Sequence, residues 1–172
     1  PMIIISQHRS FFDACIPSVL VGKAKGMLVL RHVLKSELLL SPSLDLFGHR
    51  LPNYFVKRKS SNRDQEIGAI RSLGIGLDGD ACVIFPEGTF YSQRRFASSL
   101  AEIEKTDNER FLRVQNLRHI LPIRPGGILA LLDATADTDL VVIGHSGFER
   151  FSSFRDISRN VPFTSPIKIT LK

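Results

Sequence analysis

Short apolar runs recur along the chain, and stretches with helical spacing lie between them. Residues 2–6 read as a short buried strand. Residues 10–21 predict a helix, kinked at Pro17. A second strand-like run covers 27–33. Residues 36–53 contain Pro42, Gly48 and Pro52 and read as a connector with one helical turn. A short strand is predicted at 54–57, then a helix over 62–73, where Ile67, Ile70 and Leu73 fall at helical spacing. Residues 81–85 form another buried strand, ended by Pro86. The polar stretch 92–117 predicts two helices and 127–133 a shorter one; 140–143 and 167–171 close the pattern as strands. Strands alternating with helices are the signature of an α/β sandwich with a largely parallel central sheet.

The 172 residues fit one domain, with no internal repeat, low-complexity segment or linker. Pro1 and Lys172 both adjoin strand-like runs, so the chain is expected to be a fragment of a longer protein at both ends. No apolar run approaches the roughly 18 residues that span a bilayer. Cys15 and Cys82 sit in apolar runs and read as buried, reduced thiols, with neither a disulfide framework nor a zinc or other metal site.

Charge narrows the choice of partner. The net charge of +6 favours anionic partners: phosphorylated metabolites, acidic lipid surfaces or nucleic acid. The 23 lysines and arginines are scattered, and no aromatic–basic recognition motif accompanies them, which argues against nucleic acid.

Four segments carry candidate chemistry. Gln7-His8-Arg9-Ser10-Phe11-Phe12-Asp13 places H-x-x-x-x-D directly after a buried strand, at the strand end where open α/β sheets bind ligands. A histidine is a base near neutral pH, and an aspartate can hold one of its nitrogens. Five residues along a helix turn roughly 500°, so the pair meets only if His8 lies in the turn before the helix and folds back. Phe85-Pro86-Glu87-Gly88-Thr89 follows another buried strand, and puts Glu87 at the same rim. Proline and glycine also make ordinary strand-to-loop turns, so a structural reading stays open here. Tyr54-Phe55-Val56-Lys57-Arg58-Lys59 ends a strand in a cationic cluster, where Arg58 can grip a phosphate bidentately. Lys35 lies upstream as a further cation. In Leu121-Pro122-Ile123-Arg124-Pro125-Gly126-Gly127, two prolines and two glycines make a rigid, closely approachable segment, either structural or lining an acyl site; Arg124 is a second phosphate candidate.

In this order, the four segments resemble the blocks of the glycerolipid acyltransferase family related to lysophosphatidate acyltransferase. That family carries N-H-x-S-x-x-D, an arginine-containing strand, F-P-E-G-T-R-S and a proline-containing fourth block. The likeness spans residues 2–127, and its first and third motifs are the most specific. Gln7 replaces the usual asparagine. Phe90 stands where the third motif has an arginine that helps hold the acceptor phosphate, and Arg94 or Arg95 lies a turn later.

The resemblance implies a glycerol-3-phosphate acyltransferase-like fold and an enzyme that moves a fatty acyl group from acyl-CoA or acyl carrier protein to a lysophospholipid hydroxyl. His8 would be the base and Asp13 its orienting partner. Lys57, Arg58, Arg94 and Arg124 would bind the anionic substrate, and Glu87, Gly88 and Thr89 would shape the acceptor pocket. No cofactor is expected beyond the acyl donor. An anionic membrane surface at the cytoplasmic face is the expected location. An acceptor other than a glycerophosphate, or an inactive lipid-binding protein of the same fold, stays as an alternative.

Two other patterns fail. Gly74-Ile75-Gly76-Leu77-Asp78-Gly79 spells G-x-G-x-x-G, but it follows a predicted helix and precedes a strand, the reverse of the dinucleotide fingerprint. Gly144-His145-Ser146-Gly147 lacks the last glycine of a hydrolase elbow, and His145 reads as the end of a strand.

Overall fold

A computed structural model of the chain describes every residue except 11, 26–28, 58–61, 136 and 152–153; for residues 23–25, 47 and 154 the backbone alone is described. Among the described residues six strands form one sheet: β1 (Met2–Ser6), β2 (Leu30–Lys35), β3 (Tyr54–Val56), β4 (Ala81–Ile84), β5 (Asp139–Ser146) and β6 (Lys168–Leu171). Their spatial order is β3-β2-β4-β1-β5-β6. The first five are mutually parallel, and β6 pairs antiparallel with β5 at the edge. The α/β reading with a largely parallel sheet is therefore correct.

The central strands are apolar throughout because both sheet faces are covered. Successive side chains of a strand point to opposite faces. Ile3 and Cys82 accordingly join one core, with Ile70 and Leu73 of α3 (Arg63–Gly74) and Ile128 and Leu131 of α6 (Pro125–Ala134). Ile4 and Val83 join the other, with Ile16 and Val21 of α1 (Ile16–Lys25) and with Phe148 and Phe151. Each such fully buried aliphatic side chain contributes about 1.5–3 kcal/mol. Truncating Leu131, which has no exposed surface, would cost about 2–5 kcal/mol through the cavity left behind. Gly127 allows α6 to sit this close: a β-carbon there would lie 2.9 Å from Ile84 Cδ1.

Local chemistry sets the helix boundaries. Asn62 and Ser92 cap the starts of α3 and α4 (Gln93–Thr106), and Asp107 caps α5 (Asn108–Val114); in each case the side chain accepts a backbone N–H. Pro125 opens α6, where its missing N–H is no loss. The G-x-G-x-x-G segment is a helix stop. Arg31 donates to the carbonyls of Leu73, Ile75 and Gly76 there, satisfying the open end of α3.

Several expectations need correction. The helix predicted over 10–21 begins instead with a 3₁₀ turn at Asp13–Cys15, and Pro17 lies in the first turn of α1, where no kink is required. The connector at 36–53 holds a 3₁₀ turn (Ser36–Leu40) and a helix α2 (Pro42–Gly48), because Pro42 initiates a helix rather than interrupting one. β5 extends to Ser146, and a 3₁₀ turn (Phe148–Phe151) and α7 (Phe154–Asn160) follow it unforeseen. Cys15 is exposed rather than buried, since its turn presents it outward; Cys82 is buried, and that burial pushes its thiol up to about 12.

Candidate active site

In a parallel sheet every strand points its carboxyl end to the same edge. β1, β4 and β5 are neighbours, so the residues at their carboxyl ends, around 7, 86 and 145, converge there. Gln7 N–H still donates to the Ile143 carbonyl (3.1 Å), which holds the exit of β1 against β5. His8 follows in the turn ahead of the first helical residues, the geometry its spacing to Asp13 requires.

His8 Nδ1 lies 2.9 Å from Asp13 Oδ1. Asp13 has no exposed surface and His8 retains 13%, so the carboxylate is sealed while the imidazole still reaches the surface. The second carboxylate oxygen accepts the backbone N–H groups of Arg9 and of Ser10 (2.7 Å for the latter). Burial alone would raise the Asp13 carboxyl. Hydrogen bonds from His145, His8 and the Ser10 backbone, with the charge of His8, overcome it and hold the group at about 2. An ionised Asp13 accepts only, so Nδ1 carries the proton and the lone pair of a neutral ring lies on Nε2. That nitrogen can take a proton from a bound hydroxyl. Ser10 is fully buried, and its hydroxyl accepts the Phe12 N–H (3.1 Å), shaping the turn.

Glu87 is buried too, and both of its oxygens are occupied. His8 N–H donates to Oε1 (2.9 Å) and Leu121 N–H to Oε2 (2.7 Å). Burial pushes its carboxyl up against these donors. Glu87 thus fastens the end of β1 to the segment before α6, and it shapes the rim through backbone rather than through a free carboxylate. Gly88, at φ +67°, makes the turn that returns its N–H to the Phe85 carbonyl (2.8 Å). Phe85 and Phe90 pack on the His8 ring, with centroids 4.6 and 4.3 Å away.

The cationic candidates are arranged more loosely. Arg58 lies outside the described residues. Lys35 Nζ donates to Thr89 Oγ1 (3.4 Å) and stands 5.7 Å from the centre of the Phe90 ring, which brings a cation to the block where an arginine was missing. Arg94 is exposed in the first turn of α4; its neighbour Arg95 bonds the Phe90 carbonyl (3.0 Å). Lys57 and Arg124 line a separate groove of about 570 Å³ between β3, α3, α4 and α6, joined there by Arg63 and Arg110. Its floor is apolar, with Ile67, Ile70 and Ile103. Arg124 N–H donates to the Pro86 carbonyl (2.9 Å), linking the groove wall to the Glu87 turn. Among the described residues no cluster of histidine, cysteine or carboxylate side chains could hold a metal ion.

Arg63 and Arg110 are absent from the motif reading, and His145 enters it only as a strand end. The two arginines belong to helices without any pattern, and only the packing of α3 against α6 and the loop after α5 brings them together. His145, read as the end of a strand, does end β5, but its ring is buried beside Asp13.

A buried aspartate orienting a rim histidine on a parallel sheet is an arrangement suited to acyl transfer, and a family model described as Acyltransferase matches residues 1–147. The chain is an acyltransferase. It belongs to the glycerolipid branch of these enzymes, the family its four blocks resemble. No curated protein and no solved structure is a significant match.

Proposed function

We propose that this acyltransferase moves a fatty acyl group from a thioester, acyl-CoA or acyl carrier protein, to the free hydroxyl of a lysophospholipid such as 1-acylglycerol-3-phosphate, in phospholipid biosynthesis. The carrying observation is the 2.9 Å contact between His8 Nδ1 and the sealed, ionised Asp13. The acceptor oxygen attacks the thioester carbonyl carbon while His8 Nε2 takes its proton. The tetrahedral intermediate collapses, the C–S bond breaks, and the imidazolium returns the proton to the thiolate. Asp13 stabilises the imidazolium between these steps. Neither step needs a covalent acyl-enzyme or a cofactor.

Lys35 beside Thr89, with Lys57 and Arg124 at the groove, supports an anionic substrate; Arg58 and Arg94 belong to the same assignment. The net charge of +6 supports an anionic membrane surface, at the cytoplasmic face, as the place of work. Phe90 on the His8 ring makes the near wall apolar and favours a second reading, an acceptor without a glycerophosphate headgroup.

Labelled acyl-CoA and acyl carrier protein, offered with a panel of lysolipids with and without phosphate, test both readings. Transfer to a lysophospholipid that disappears in His8→Ala is the expected result. A labelled protein adduct formed with donor alone would overturn direct transfer, and preference for a phosphate-free acceptor would select the second reading.

A further inference from the structure

His145 sits near the end of β5 with its side chain wholly buried, edge-on to Phe148 (centroids 5.3 Å apart). Its Nε2 faces two acceptors, the Gln7 carbonyl at 3.3 Å and Asp13 Oδ2 at 3.4 Å. An acceptor on each side requires a proton on Nε2. Nδ1 is buried and has no hydrogen-bond partner among the described residues. A proton there would have none of them to donate to. The surroundings therefore place the ring proton on Nε2. The backbone reinforces this placement: His145 N–H donates to Gln7 Oε1 (3.3 Å), while Gln7 Nε2 donates to the His119 carbonyl (3.3 Å). Gln7, the residue that departs from the family's asparagine, thus holds His145 through its side chain and its main chain.

We infer that His145 is a positioning residue for the reaction: its Nε2–H is shared between the Gln7 carbonyl and Asp13 Oδ2, the oxygen that His8 does not use. The two histidines bind opposite oxygens of one carboxylate. His8 exchanges protons at the rim, and His145 keeps the carboxylate in the plane that aims Oδ1 at His8 Nδ1. This inference rests on the proposed His8–Asp13 base. Asp13 and Glu149 are the charged groups coupled to His145, with His8 across Asp13 and Arg9 acting on Glu149.

Two variants of similar volume separate positioning from packing. A glutamine side chain can offer an N–H at about the reach of Nε2, and a leucine cannot. His145→Gln is expected to keep kcat within a few-fold of wild type. His145→Leu should lose on the order of 10–10²-fold in kcat with KM little changed, because the base is misaligned while substrate binding is not. A folded His145→Leu with wild-type kcat would overturn the inference. Nitrogen-15 NMR of the wild-type enzyme is independent of how the variants fold. At neutral pH His145 should carry a proton on Nε2, and a ring protonated on Nδ1 alone overturns the inference. His8→Ala in the same assay keeps the two ideas apart: activity that survives it defeats the base itself, whereas its loss alongside an active His145→Leu defeats only the role of His145.

Discussion

The end of β1 and the basic groove beside β3 differ in how they hold charge. Around His8, the carboxylates of Asp13 and Glu87 are buried; backbone N–H groups hold three of their oxygens and the His8 ring the fourth. In the groove, Lys57 and Arg124 are exposed, on long side chains that share the space with Glu66 and Glu102. Proton transfer fails when the base is misplaced by a fraction of an ångström. Attraction for an anion varies slowly with distance and tolerates slack. The first region is accordingly built like a core, and the second like a surface.

Substitutions should scale with that contrast. The largest effect is expected from His8→Ala, a fall of about 10²–10⁴-fold in kcat with KM almost unchanged, read in steady-state kinetics. Asp13→Asn should follow, with at least a hundredfold loss in kcat, because the amide no longer fixes the proton on His8 Nδ1. Asp13 should also leave a signature in acid. Its carboxyl is held at about 2 against an ordinary 3.8, so its contribution to stability is complete above 3.8 and disappears as pH falls toward 2. That contribution is roughly 2 kcal/mol, and denaturant titrations at several pH values would show its loss in wild type and its absence in Asp13→Asn. Glu87→Gln is expected to act on stability, costing about 1–3 kcal/mol in thermal unfolding, since an amide can accept only one of the two N–H groups. The pH signature of Glu87 has the opposite sign. Its carboxyl lies above 4.5 in the fold, so the native state gives up stability as pH rises through that window. The smallest change belongs to the groove: Arg124→Ala or Lys57→Ala should raise KM for an anionic substrate about two- to fivefold, with kcat unchanged and the difference fading in high salt. A groove variant that abolished kcat would break the contrast.

The same contrast governs what the sequence discloses. β1 and β4 are legible because residues covered on both faces must be apolar, and Ile3-Ile4-Ile5 and Cys82-Val83-Ile84 leave no other reading. His8 and Asp13 are legible because both partners lie within one turn, so spacing records their contact. Glu87 is visible as a rim residue, yet its two backbone partners are not, since Leu121 arrives from another part of the chain. The contact of His145 with Asp13 was hidden for the same reason: it forms only after β5 has been laid beside β1. α2 was hidden by a proline and a glycine that serve as its first and last residues. Arg63 and Arg110 came without a motif, because a cationic rim asks only for charge in the right region and not for spacing along the chain.

The two phenylalanine rings on His8 have a practical consequence. Aromatic rings at 4.3 and 4.6 Å impose strong ring-current fields on the imidazole protons between them. Of the five histidines, this one is expected to resonate well away from its usual position. A proton spectrum would then follow the protonation of the base, and its disturbance by an arriving acyl chain, in a corner of the spectrum free of overlap.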